Sequence, residues 1–264
     1  MQFLAIAIAT YALIIAGLFL GQRRLMYLPD RRRTDPTVAV ALDMREIAIE
    51  TSDGLSLLAW YRPAQQGKET VVFFHGNAGG LGMRAEKVMP YLNAGYGVLL
   101  PAYRAYSGNP GAPDEAGLYR DGRAALGFLM DNGVVAGDVV LHGESLGTGI
   151  AVQMSVELPI AALILEAPFT SMPAVAQHHY FWAPAKWLVR DQYDNLGKID
   201  RVAAPLLIVH GKADRVVPPE MGRRLYEAAN EPKQMRILAG AGHDDGHKFG
   251  LAEQTLSFLH YLAE

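Results

Sequence analysis

Val139-Val-Leu-His-Gly-Glu-Ser-Leu-Gly147 has the form of a short apolar strand that enters a tight turn at Gly143 and leaves it as a helix, since Gly147 to Glu157 carries a helical pattern. A turn this sharp puts the residue at its apex into strained backbone and draws strand and helix together. Side chains at the two glycine positions would then collide with neighbouring chain. Ser145 stands at that apex. Open α/β sheets bind ligands beyond the carboxyl ends of their strands, and a serine held there in a G-x-S-x-G turn is placed to act as a nucleophile. The competing reading is an ordinary glycine-rich turn with an idle serine.

From Met44 onward, short β-like runs alternate with helical ones, which predicts a mostly parallel sheet with helices on both faces. Arg45 to Glu50 and Leu55 to Tyr61 flank Asp53-Gly54, a hairpin signal, and are expected to pair antiparallel. Val71 to Phe74, Val98 to Pro101, Val139 to His142, Ala162 to Leu165, Leu206 to Val209 and Arg236 to Leu238 are nearly continuous apolar runs, as strands covered on both faces should be. Together they predict about eight strands. Helices are expected over Arg84 to Asn93, Gly117 to Asp131, Gly147 to Glu157, Pro219 to Ala229 and Gly250 to Ala263. One long interruption, residues 167–203, contains His178-His-Tyr-Phe-Trp182 and Trp187. It is either a small lid over the site or an insertion that adds core packing.

A serine hydroxyl is a weak nucleophile until a base takes its proton, and the base needs an acid to orient it. With a serine on this kind of turn the chain order is serine, acid, histidine. Asp214 follows the buried run Leu206 to Val209 and is the leading acid; Asp191 and Asp194 come next. The alternative for Asp214 is a helix cap or turn ahead of Pro218-Pro219. His243 follows the last strand in the loop Gly240-Ala-Gly-His243 and is preferred over His247 as the base. His75, His142 and His210 sit at strand ends and read as structural groups. Phe73-Phe-His-Gly-Asn-Ala-Gly-Gly80 ends an early strand in small residues, leaving backbone N–H groups free to face an oxyanion. Asn77 is the expected donor there, together with the N–H of Leu146, an effect worth about 3 kcal/mol per donor. A phosphate cradle is the alternative, but no G-K-[ST] follows.

Phe3 to Leu20 is uncharged, apolar and close to the ~20 residues a helix needs to cross a hydrocarbon core. It has no polar face, as a core helix would, and no Lys or Arg precedes it. Gly-Leu-Phe-Leu-Gly-Gln22 is also a poor cleavage site, so an anchor is expected rather than a removed signal peptide. Arg23, Arg24, Arg31, Arg32 and Arg33 follow, which places the rest of the chain in the cytoplasm. The expected division is a membrane anchor over 1–22, a basic linker over 23–43 and one catalytic unit over 44–264. Lys+Arg 24 against Asp+Glu 27, a net charge of -3, lacks the basic surplus that nucleic-acid binding needs. With Cys 0 there are no disulfides, thiolate metal sites or cysteine nucleophiles.

Six stretches resemble the α/β-hydrolase-domain family of small membrane-anchored serine hydrolases, which includes the protein depalmitoylases. They are Gln22 to Asp30, His75-Gly-Asn-Ala-Gly79, Gly143-Glu-Ser-Leu-Gly147, Leu165-Glu-Ala-Pro-Phe-Thr-Ser171, His210-Gly-Lys-Ala-Asp214 and Gly240-Ala-Gly-His243. The resemblance implies the α/β-hydrolase fold, a Ser145, Asp214 and His243 triad, and no metal or organic cofactor. The expected substrate is a lipid-like ester or thioester, either a small molecule or an acylated protein. A peptidase or amidase would use the same triad, and a non-catalytic membrane-tethered binding protein could keep the same fold. One departure is Pro101-Ala-Tyr-Arg-Ala-Tyr-Ser-Gly108, where relatives read D-Y-R-G-Y-G; Ala102 and Ala105 stand for the acid and a glycine.

Overall fold

A computed structural model describes residues 1–36 and 43–263. Part of the expected linker, residues 37–42, and the last residue of the expected catalytic unit, 264, lie outside the described residues.

The chain opens with helix α1 (Gln2–Met26), followed by the two-residue strand β1 (Leu28–Pro29). Then come β2 (Arg45–Glu50), β3 (Ser56–Arg62), β4 (Thr70–Phe74), the short β5 (Ala78–Gly79), α2 (Ala85–Asn93) and β6 (Gly97–Pro101). The second half runs α3 (Glu115–Asp131), β7 (Val139–Glu144), α4 (Leu146–Glu157), β8 (Ala162–Glu166), α5 (Met172–His179) and α6 (Ala185–Leu188). It ends with β9 (Leu206–Gly211), α7 (Pro219–Ala228), β10 (Lys233–Leu238) and α8 (Leu251–Ala263).

Eight strands form one sheet in the order β10-β9-β8-β7-β4-β6-β3-β2. Among the described residues only β3 pairs antiparallel with its neighbours, β2 and β6; the other pairings in the sheet are parallel. This is the α/β-hydrolase fold, and the eight strands are the six named from the apolar runs and the two of the expected hairpin. Strands β4, β6, β7, β8 and β9 are buried along their whole length, as their uninterrupted apolar sequences require. Helices cover both faces, α3 against α4 and α2 against α8. Strand β10 begins three residues before the apolar run, at Lys233, because it pairs in parallel register with β9 from Leu206 onward. At the sheet edge it is only half-buried, so polar residues are tolerated and the apolar signal is weak. Helix α3 likewise starts at Glu115 rather than Gly117, because the Asp114 side chain caps it by accepting from the Gly117 N–H at 2.7 Å.

Helix α1 runs past Leu20 to Met26, so Arg23 and Arg24 belong to its last turn. The chain then pairs with the main body, with Leu28 opposite Ala78 and Pro29 opposite Gly79. Ala105, where the family resemblance leads one to expect glycine, adopts φ 71°, backbone that glycine enters more freely than alanine.

Strand β7 lies between β4 and β8, at the centre of the sheet. A Cβ on Gly147 would stand 1.9 Å from the Phe74 carbonyl oxygen, and one on Gly143 would stand 2.7 Å from the Gly147 carbonyl. The two glycines therefore let β4, β7 and α4 meet. Gly147→Ala is expected to destabilise the fold by at least about 2 kcal/mol, because the obstruction is backbone that cannot swing aside. Chemical denaturation checks this, and an unchanged midpoint would show that strand and helix can separate without cost.

Candidate active site

Strand β7 delivers Ser145 just past its carboxyl end. Ser145 has φ 49° and ψ -114°, a left-handed backbone that costs a non-glycine residue on the order of 1–3 kcal/mol and persists only when its surroundings hold it. The hold is visible. The Ser145 N–H donates to the Glu166 carbonyl at 2.9 Å, and the Ser145 carbonyl accepts from the Thr148 N–H at 2.9 Å and hydroxyl at 2.6 Å.

His243 reaches back from the loop after β10, with Nε2 2.9 Å from Ser145 Oγ and Nδ1 2.8 Å from Asp214 Oδ2. The carboxylate favours the Nδ1–H tautomer, which leaves Nε2 as an acceptor for the serine hydroxyl. Asp214 follows β9. Its Oδ1 accepts from the N–H groups of Val216 at 2.8 Å and Val217 at 2.9 Å, and His210 Nε2 lies 3.3 Å from its Oδ2. Its side chain is fully buried. Burial opposes the charge, but hydrogen bonds from His210 and His243, the His243 charge and the Val217 N–H outweigh it. The carboxyl is held well below the usual carboxylate range. For His243 burial works against the cation, yet the hydrogen bond and charge of Asp214, helped by Asp244 and Glu144, raise its pKa above the ordinary 6.5. A Cβ on Gly211 would lie 2.2 Å from the Gly242 carbonyl, so glycine is what allows the acid's strand and the histidine's loop to touch.

Beneath the serine, Glu144 and Glu166 share the Lys87 ammonium at 2.7 and 2.9 Å, and Glu144 also pairs with Arg84 at 2.7 Å. The same Glu144 accepts the Gly76 N–H at 3.2 Å, while Tyr103 and Tyr106 hydroxyls donate to the carbonyls of His75 and Asn77. The buried charges thus fasten the serine turn to the loop that carries Asn77. The side-chain amide of Asn77 is committed to the Met26 carbonyl at 2.9 Å. Leu146, as first residue of α4, has an N–H with no partner inside its helix.

Ser145, Leu146 and Asn77 line one cavity of about 500 Å³, within the range of small-molecule sites. Its other walls are mostly apolar, with Met172, Val175 and Leu188 from the 167–203 segment and one face of α1; Gln22, His179 and Tyr180 are the polar members. Within that segment Phe181, Trp182 and Trp187 are exposed at 81%, 45% and 80%, so these rings do not pack into the core.

The structure therefore brings together Ser145, Asp214, His243, Asn77 and Leu146. His247 is exposed and lines a separate small cavity with Lys87 and Asp244. Asp191 is engaged by Arg23 and Tyr27, and Asp194 accepts the Gly197 N–H. Sequence reasoning missed two contributors. His210 reads as a strand-end histidine but touches the acid, and its spacing four residues before Asp214 was the available signal. The α1 wall left no signal, because a helix apolar all round has no preferred face.

Comparisons with known proteins bear on the family and the fold. The chain is 39% identical over 245 residues to the uncharacterized protein Rv2307c of Mycobacterium tuberculosis, covering 90% of this chain and 87% of that one. It is 32% identical to human alpha/beta hydrolase domain-containing protein 17B, covering 76% of this chain and 69% of that one. The family model described as "Serine aminopeptidase, S33" matches residues 185–245. Among solved structures, the Pyrococcus furiosus esterase Pf2001 superposes with a TM-score of 0.70 at 20% identity, over 89% of this chain and 98% of the esterase, a likeness of fold. The chain belongs to the α/β-hydrolase family.

The His243 environment can be tested directly. An NMR titration of its imidazole is expected to give a midpoint above 6.5, and Asp214→Asn should lower that midpoint, since burial then acts without its counter-charge. A midpoint unmoved by Asp214→Asn would mean that the carboxylate does not set the imidazole's charge.

Proposed function

We propose that the protein is a serine hydrolase that cleaves carboxylic esters or thioesters of lipid-like acyl substrates through an acyl-enzyme intermediate. The observation that carries this is the unbroken hydrogen-bonded series Ser145, His243, Asp214 at one side of an apolar cavity. In the proposed reaction His243 Nε2 takes the Ser145 hydroxyl proton as Oγ attacks the acyl carbonyl, and Asp214 stabilises the imidazolium that forms. The oxyanion is received by the backbone N–H groups of Leu146 and Asn77; the Asn77 side chain is already engaged, so its main chain takes the role. His243 then gives its proton to the departing alkoxide or thiolate. In the second half it activates water, whose attack on the acyl-enzyme releases the acid and restores Ser145.

The same proposal sets the enzyme at a membrane. Helix α1 is 25 residues long and contains an 18-residue stretch of mean hydropathy 2.5, none of it buried, the length and composition of a membrane span. Exposed Phe181, Trp182 and Trp187, with Lys186 stacked over the Trp187 ring at 5.5 Å, suit a membrane–water boundary. The arginines in the last turn of α1 and just after it support a single-pass anchor with the catalytic unit in the cytoplasm, and residues 167–203 would then form a lid facing the membrane. An aminopeptidase would need a carboxylate to bind the substrate's free ammonium. Among the described residues lining the cavity there is no Asp or Glu, which favours the acyl-ester reading over an aminopeptidase.

Two measurements test this. A fluorophosphonate probe should label the wild type and not Ser145→Ala, and Ser145→Ala should lose about 10⁴-fold or more in kcat on a p-nitrophenyl ester. An unlabelled wild type, under conditions that label a known serine hydrolase, would favour a non-catalytic binding protein. Second, kcat/KM for the same ester should fall as pH drops through the His243 midpoint, because only neutral imidazole can accept the hydroxyl proton. That midpoint should lie above 6.5.

A further inference from the structure

Helix α1 is held to the rest of the molecule by more contacts than a tether needs. Arg23 donates to both oxygens of Asp191 at 2.9 Å each, and Tyr27, just after the helix, adds a third bond to that carboxylate at 3.0 Å. Gln22 donates to the Leu188 carbonyl at 3.2 Å and accepts the Arg190 N–H at 2.7 Å, while Tyr11 reaches the Trp182 carbonyl at 3.2 Å. At the inner end, Asn77 donates its side-chain amide to the Met26 carbonyl and accepts the Leu28 N–H at 2.9 Å. The end of α1 is thereby tied to the loop bearing the proposed oxyanion donor.

Between these ties one face of α1 is turned to the cavity. Ile15, Leu18, Phe19, Gln22 and Met26 line it, at positions i, i+3, i+4, i+7 and i+11, a single helical stripe. On other faces Leu13 and Leu20 are exposed at 73% and 77%. From Met26 to Ile15 the stripe spans ~16 Å along the helix axis, leading away from Asn77 and toward the rest of the apolar run.

We propose that this stripe is the wall of an acyl-chain subsite. The scissile carbonyl sits at Ser145, and its alkyl chain lies along α1, facing Met172, Val175 and Leu188, with its far end directed at the membrane. The proposal rests on the serine-hydrolase reading above. It makes α1 a specificity element as well as an anchor: an acyl chain drawn from the bilayer meets mainly apolar side chains on its path to the serine, and Gln22, the one polar member of the stripe, has its amide engaged by Leu188 and Arg190. The chain is the shared chemistry of a lipid ester and an S-acylated protein, and either could supply it.

The full-length protein in phosphatidylcholine vesicles provides the test. An alkyl fluorophosphonate with a diazirine at the end of a long chain should label Ser145 and, on irradiation, cross-link its tail to the α1 peptide containing Ile15, Leu18 and Phe19. No label on Ser145 would sink the hydrolase reading itself. A labelled serine whose tail cross-links only outside α1 would overturn the subsite alone. Independently, Leu18→Trp should shift the ratio of long-chain to acetyl ester kcat/KM by about tenfold or more toward acetyl. Leu13→Trp, on an outward face, should leave that ratio unchanged and controls for insertion into the membrane. Long-chain substrates are presented both as a bilayer-embedded glycerol ester and as a soluble acyl-thioester peptide. A Leu18→Trp penalty in both arms, or in one, supports the subsite and identifies the source of the chain; the same ratio as wild type in both arms overturns it.

Discussion

The Phe74 carbonyl and Gly147 approach so closely that one added carbon would stand 1.9 Å from the oxygen. Everything at the site hangs on that contact. It lets α4 start directly against the ends of β4 and β7, which in turn requires Ser145 to turn the chain in left-handed backbone. A loose turn would leave Oγ free to wander; this one presents it at a defined point, and His243 and Asp214 are arranged around that point.

The strain at Ser145 is retained by what lies beneath it. Glu144, Glu166, Lys87 and Arg84 form a buried, mutually neutralising group. Buried charges are costly to desolvate and are weak evidence for stability. Here they join the serine turn, through Glu144, to the Gly76 N–H and hence to the Asn77 loop. The two halves of the proposed oxyanion site are thus held by one network, whose members were not identified from sequence because they come from separate parts of the chain: Arg84 just before α2, Lys87 in α2, Glu144 in β7 and Glu166 in β8. Helix α1 and the strand β1 after it enter the same assembly from the other side, through Met26 and Leu28.

Much of the fold was legible from the residues. The apolar runs from Val71 to Phe74 and from Val139 to His142 mark strands because residues buried on both faces cannot alternate. That Ser145, Asp214 and His243 would come together was legible because each follows a strand, buried for the first two and at the sheet edge for His243, and strand ends converge at one edge of a parallel sheet. Lys233 at the start of β10 was not legible, since an edge strand carries little apolar pattern. Nor was the part played by His210, whose contact with Asp214 depends on how the loop after β9 folds back.

The N-terminal helix draws the line between the two sources of information. Composition and length sufficed to recognise it as able to cross a membrane, because hydropathy is a property of residues taken one at a time. Periodicity sufficed for the sheet, and glycine placement for the serine turn, because both are local patterns. Which face of α1 meets the cavity was left to folding. Its side chains are apolar on every side, and the bonds that set its rotation, from Gln22 and Arg23 to Leu188, Arg190 and Asp191, join residues 166 to 168 positions apart. No local pattern encodes contacts at that separation.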